Sequence, residues 1–124
     1  YKKEIKAWEK VYKKQKFADA FRGFYVFWRT TNHLRIYLLV TILVIVLGFY
    51  FRVSSSEWLA LVFAIGLVFI IEAINTAIEI DIDLTSPEYH PFARDIKDVS
   101  AAAVLFAVFT AVVVGLIIFL PKIF

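Results

Sequence analysis

Glu72, Asn75 and Glu79 fall within eight residues, Glu72-Ala-Ile-Asn-Thr-Ala-Ile-Glu79, directly after fourteen uncharged and mostly apolar residues, Trp58 to Ile71. At about 100° per residue, the three side chains project from one helical face within a sector of about 60°. Glu79 lies about 10 Å along the axis from Glu72. An acidic side chain at the centre of a bilayer costs about 2.5–3.5 kcal/mol, so two of them with an amide point to chemistry. Further polar residues follow: Thr76, Asp81, Asp83, Glu88, Tyr89, His90, Arg94, Asp95, Lys97 and Asp98. Carboxylates and amides without cysteine, and with a single local histidine, suit a hard cation, Mg²⁺ above all. Arg94 and Lys97, near the expected start of a helix, suit phosphate. Glu72 in apolar surroundings suits a general base acting on a hydroxyl. The set together suggests phosphoryl transfer to a lipid alcohol at the membrane–water boundary. Neither glycine-rich phosphate motif is present. An ion or proton pathway, and a purely structural polar interface, stand as alternatives on these residues alone.

The elements that must position this face belong to a membrane protein. The chain has 124 residues, 61% of them hydrophobic, and a mean hydropathy of +0.75, which places it among integral membrane proteins. Its length fits a single domain, 1–124. The lack of cysteine removes disulfides, thiolate metal sites and cysteine nucleophiles. With no methionine in the chain, Tyr1 is not expected to be the natural start. No cleavable signal is expected either, because a long basic segment precedes the first apolar run. Residues 1–35 hold ten of the fourteen basic residues and three acidic ones. Such a segment can meet nucleic acid; beside spanning helices, anionic headgroups are the expected partner.

Residues 1–30 read as a basic, amphipathic surface segment. Trp8 and Tyr12 interleave with its lysines, and Phe17, Phe21, Phe24, Tyr25 and Trp28 then recur at helical spacing. A soluble helix packing on a partner is the other reading. Thr30-Thr-Asn-His33 breaks the pattern. Transmembrane helices are expected at 34–51, 57–80 and 98–120. Arg35 is placed to snorkel, Ser54-x-x-Glu57 is a capping box, and Trp58 is an interface anchor. Pro87 and Pro91 argue against helix through 81–95, and the last helix is expected to end before Pro121 with Lys122 capping it. Ala103, Ala107, Ala111 and Gly115 recur every four residues as a small-residue ridge.

By the positive-inside rule, the lysine-rich N-terminus and the 81–95 loop are cytoplasmic. Three helices are not expected to bury the Glu72–Glu79 face unaided, so a symmetric homo-oligomer with shared sites is expected.

These residues also resemble a known family. Glu72-Ala-Ile-Asn-Thr-Ala-Ile-Glu79, Asp83-Leu, Ser86-Pro-Glu-Tyr-His-Pro, Ala93-x-x-x-Lys97-Asp98-x-x-Ala-Ala-Ala-Val and the closing Gly115-Leu-Ile-Ile-Phe-Leu-Pro-Lys-Ile are similar to the bacterial diacylglycerol kinase and undecaprenol kinase family from about Phe17 onward. The resemblance implies an all-α protein of the cytoplasmic (inner) membrane, with a surface helix, three transmembrane helices and a homotrimeric assembly. It implies Mg²⁺-dependent transfer of the γ-phosphate of ATP to diacylglycerol or undecaprenol. Glu72 becomes the base, and Asn75 orients it or the phosphate. Glu79 becomes a ligand of Mg²⁺–ATP, and Glu88, Tyr89, His90, Lys97 and Asp98 become nucleotide contacts. Plainer readings make Tyr89 an interfacial anchor, His90 a solvated loop residue and Asp98 a helix cap. Where many relatives carry a second metal-binding glutamate, this chain has Thr31, which offers a hydroxyl without charge, and Asp81 is expected to supply the missing charge. An impaired or non-enzymatic protein of the same fold, or an ion-coupled assembly, is the rival reading.

Overall fold

The structure, a computed structural model, describes residues 4, 6–9 and 16–124. Tyr12 lies outside the described residues. The chain divides into two compact units, Tyr1–Asn32 and His33–Phe124.

In the first unit, helix α1 spans Lys16–Thr30. Phe17, Phe21, Phe24, Tyr25 and Trp28 are all exposed on it, as suits a helix whose apolar face meets a lipid surface. Asp19 in the first turn and Arg29 in the last oppose the helix dipole. The Arg29 guanidinium also sits 5.5 Å from the Tyr25 ring centroid, within cation–π range.

The second unit holds helices α2 (Leu34–Tyr50), α3 (Ser55–Thr85) and α4 (Pro91–Ile123). No strand occurs among the described residues. Helices α3 and α4 are each long and apolar enough to cross a membrane. Helix α2 has 17 residues, about 25 Å at 1.5 Å per residue, a little under a typical hydrocarbon thickness. At 31 and 33 residues, α3 and α4 exceed the bilayer core by five or more residues each. The expected spans 57–80 and 98–120 are therefore the apolar parts of longer helices. Three differences from the sequence reading share one cause, that a backbone ladder continues into water after the apolar run stops. Helix α3 runs on to Thr85. Helix α4 begins at Pro91, because proline at the first position has no N–H that the helix needs. It passes through Pro121, because in the final turn a single lost i→i−4 bond is tolerable.

The α2–α3 turn is built as its sequence demands. The Ser54 Oγ accepts from the Glu57 N–H at 3.2 Å, and the Ser54 N–H donates to Glu57 Oε1 at 2.9 Å, completing the capping box. The other carboxylate oxygen of Glu57 meets Lys122 Nζ at 3.1 Å, which ties the end of α4 to the start of α3. Lys122 thus serves a pair between helices as well as its own terminus. Beside this staple, Val53, Leu61, Ile118 and Phe119 form the buried core, with Phe51 and Trp58 packed on it.

Helix α2 meets α3 where Gly48 admits the Trp58 indole, and the Phe49 and Trp58 rings lie 4.9 Å apart. A methyl at Gly48 would overlap that indole, with ring atoms Cζ2 and Cζ3 only 2.8 and 2.9 Å away. Gly48→Ala is expected to lower stability by about 1–3 kcal/mol, read as a fall in thermal midpoint in detergent. The loss should shrink in a Trp58→Ala background, where the obstructing ring is gone.

Candidate active site

The buried residues of α3 are Leu61, Ala64, Val68, Glu72, Asn75, Thr76 and Ile82. Apart from Thr76 beside Asn75, they advance mainly in steps of three and four, the seam of a helix packed on its neighbours. Glu72 and Asn75 occupy positions in that seam. At 6% and 7% exposure, they are covered within the single chain. The expectation that three helices cannot bury this face is corrected for Glu72 and Asn75, which neighbouring side chains reach, and holds for Glu79. Glu79, one turn further on, is exposed.

Each buried group has a partner. The Tyr37 O–H, on α2, donates to Glu72 Oε2 across a long 3.4 Å, and the Tyr37 ring stands edge-on to Phe69 with centroids 6.3 Å apart. Asn75 bridges two elements. Its Nδ2 donates to Glu79 Oε1 at 3.2 Å, and its Oδ1 accepts from Ser100 Oγ on α4 at 2.6 Å. Asn75 and Ser100 also face an open groove of about 450 Å³ between α3 and α4, lined with Ile74, Ile78, Ile96 and Val99 among others.

Beyond Glu79 the helix continues, and this relocates the acidic charge. Asp81, two residues on, lies about 200° around the axis and so points away from Glu79. Asp83, four residues on, shares the Glu79 face. Compensating charge from Asp81 would therefore have to act from outside the Glu79 face of this helix. Asp83 Oδ1 pairs with Lys97 Nζ at 2.6 Å, joining the end of α3 to the start of α4. Asp98 pairs with Arg94 at 3.5 Å on the exposed surface of α4. It lies inside the helix and is not its cap. That role belongs to His90, whose Nδ1 accepts from the Phe92 N–H at 3.2 Å. Glu88 and Tyr89 are exposed in the connection, where the Glu88 carbonyl accepts from Ser86 Oγ at 3.1 Å. Thr31 belongs to the first unit, its backbone N–H bonded to the Phe27 carbonyl at 3.0 Å.

Among the described residues, no group of three His, Asp or Glu side chains converges as a metal cage. An exposed Glu79 carboxylate, one of whose oxygens accepts a single hydrogen bond, suits Mg²⁺, which keeps waters and takes one or two carboxylates together with ligands from elsewhere. Tyr37 and Ser100 escaped the sequence reading. The available signals were a polar side chain one turn into an aliphatic helix, and the lone hydroxyl between Asp98 and Thr110.

The Asp83–Lys97 pair is well exposed, at 69% and 41%, so screening leaves it little weight in stability. Asp83→Asn is expected to lower stability by less than about 1 kcal/mol, measured by thermal denaturation. A greater loss would mean that the pair holds the two helices together.

Comparison with known proteins identifies the family. The family model for prokaryotic diacylglycerol kinase matches residues 18–119. Undecaprenol kinase from Bacillus subtilis is 36% identical over 106 residues, 86% of this chain and 86% of that protein. Diacylglycerol kinase from Helicobacter pylori is 33% identical over 78 residues, 63% of this chain and 61% of its own length. Diacylglycerol kinase from Escherichia coli is 35% identical over 72 residues, 58% of this chain and 59% of its own length. With a matched region that contains Glu72, Asn75, Glu79 and Ser100 alike, this all-helical membrane chain belongs to the prokaryotic diacylglycerol kinase family, lipid kinases of the diacylglycerol and undecaprenol kinase type.

Proposed function

We propose that the protein transfers the γ-phosphate of ATP to the hydroxyl of a membrane lipid alcohol, with Glu72 as the general base. The observation that carries this reading is a carboxylate, 6% exposed on an apolar helix, with one long hydrogen bond to Tyr37. With a single long hydrogen bond, the carboxylate has an oxygen left to meet an approaching hydroxyl. Asn75 orients the reacting groups, its amide linking the buried end of the polar face to Glu79.

At the exposed end, Glu79 would hold Mg²⁺ with the nucleotide. When bound, the ion neutralises charge on the phosphates of ATP. Lys97 and Asp98, with Glu88, Tyr89 and His90 nearby in sequence, form the nucleotide side. Lys97 would exchange its pairing with Asp83 for phosphate, a change that costs little at an exposed site. The lysine-rich N-terminus supports a cytoplasmic orientation of this end, where the nucleotide is available.

The acceptor to test first is undecaprenol, because the match to an undecaprenol kinase runs along 86% of both chains. Diacylglycerol is the second. A homotrimer with sites between copies belongs to the same proposal. Gly66 and Gly115, where an added methyl would meet nothing within 4 Å, support close approach by another copy.

The test is radiolabelled phosphate transfer from ATP in mixed micelles containing either lipid. Label is expected in one lipid, abolished by chelating Mg²⁺. Glu72→Gln is expected to reduce kcat by about 10²–10⁴-fold, the usual contribution of a positioned base, with the KM for ATP little changed. Label in neither lipid from folded protein would overturn the kinase reading. Full activity in Glu72→Gln would overturn the role of the base.

A further inference from the structure

Ser100 occupies an unspecified position of the Ala93–Val104 motif, yet its hydroxyl makes a 2.6 Å hydrogen bond to the Asn75 carbonyl oxygen. Both residues are 7% exposed. We infer that Ser100 is a positioning residue, which sets the orientation of the Asn75 amide and through it the alignment of Glu79. The inference rests on the phosphotransfer reading and names a further residue for that same site.

The reasoning is one of donors and acceptors. An ionised carboxylate only accepts hydrogen bonds, whereas an asparagine side chain presents a donor at one end and an acceptor at the other. Asn75 therefore has to turn Nδ2 towards Glu79, and the contact there is 3.2 Å. Its oxygen then faces α4, inside the helix seam, where a buried acceptor needs a donor. Val99 and Ala101 flank Ser100 on that helix and bring none. The Ser100 hydroxyl is the donor. A helical serine commonly turns its hydroxyl back to the carbonyl four residues earlier; here it crosses to the neighbouring helix instead.

Without that hydroxyl the terminal torsion of Asn75 has only Glu79 to restrain it, and such torsions are broad and nearly two-fold. Loss of alignment at Glu79 should reach the rate, because phosphoryl transfer depends on positioning.

The sequence makes a direct test available. Asn32 and Asn75 are the only asparagines in the chain, so ¹⁵N-asparagine labelling yields two side-chain amide pairs in the NMR spectrum of the full chain in micelles. Asn32→Asp identifies which pair belongs to Asn75. Three variants separate hydroxyl from volume: Ser100→Ala, Ser100→Thr, and Ser100→Val, which matches threonine in shape without the donor. Hydrogen exchange at the Asn75 amide is expected to quicken about tenfold or more in the alanine and valine variants and to stay slow in the threonine variant. In the lipid phosphorylation assay, kcat should fall about tenfold in alanine and valine with the KM for ATP unchanged, and threonine should restore it. An Asn75 amide unmoved in Ser100→Ala would overturn the proposal, as would threonine and valine variants that behave alike. If the wild-type chain phosphorylates neither lipid, the kinase reading fails, while the amide exchange still decides whether Ser100 positions Asn75.

Discussion

Placing Glu72 in the packing seam of a helix otherwise lined with Leu61, Ala64 and Val68 works against stability, since each acidic group deep in a bilayer costs about 2.5–3.5 kcal/mol. Its neighbours temper that cost without removing it. Tyr37 offers Glu72 one long hydrogen bond, while Ser100 and Glu79 satisfy both ends of the Asn75 amide. The outcome is asymmetric along α3. At its buried end a carboxylate has little solvation, and about two turns away Glu79 is in contact with solvent. An apolar acceptor and a polar phosphate donor need that same pair of environments on one helix face.

The remaining architecture keeps this face in register. At one end of α3 the capping box and the Glu57–Lys122 pair fix where the helix begins and bind it to α4. The aromatic cluster around Trp58 and Phe119 packs beside them. At the other end the helices outrun the hydrocarbon and are joined by the Asp83–Lys97 pair. The first end is held by partly buried contacts and the second by an exposed ion pair, which is the weaker kind. An end that can rearrange at low cost, opposite a firmly stapled one, follows from that contrast.

Much of this was readable in the residues because it depended on local rules. Ser54 three residues before Glu57 specified the capping box, and the spacing of Glu72, Asn75 and Glu79 specified a shared face. Helix ends were harder to place. Apolar runs stop at the edge of the hydrocarbon, but hydrogen-bonded backbone does not, so α3 continued to Thr85 and α4 took Pro91 as its first residue. That extension decided which aspartate shares the Glu79 face: Asp83 by helix phase, with Asp81 turned away. Ser100 and Tyr37 depended on contacts between helices, which no periodicity within one helix encodes. The covering of Glu72 and Asn75 by a single chain was hidden for the same reason. Family motifs carried the kinase reading further than spacing alone, because carboxylates within a membrane helix also serve ion pathways.

On this reading the buried carboxylate is retained for chemistry at the expense of stability. Glu72→Leu tests it most directly, with thermal denaturation and lipid phosphorylation measured on the same detergent preparation. An aliphatic side chain there removes the cost of an acidic group in the bilayer, about 2.5–3.5 kcal/mol at its centre, and gives up only the long Tyr37 hydrogen bond. The midpoint should therefore hold or rise while phosphate transfer disappears. A variant that unfolds at lower temperature yet still phosphorylates lipid would show that Glu72 holds the helices together and that the base lies elsewhere.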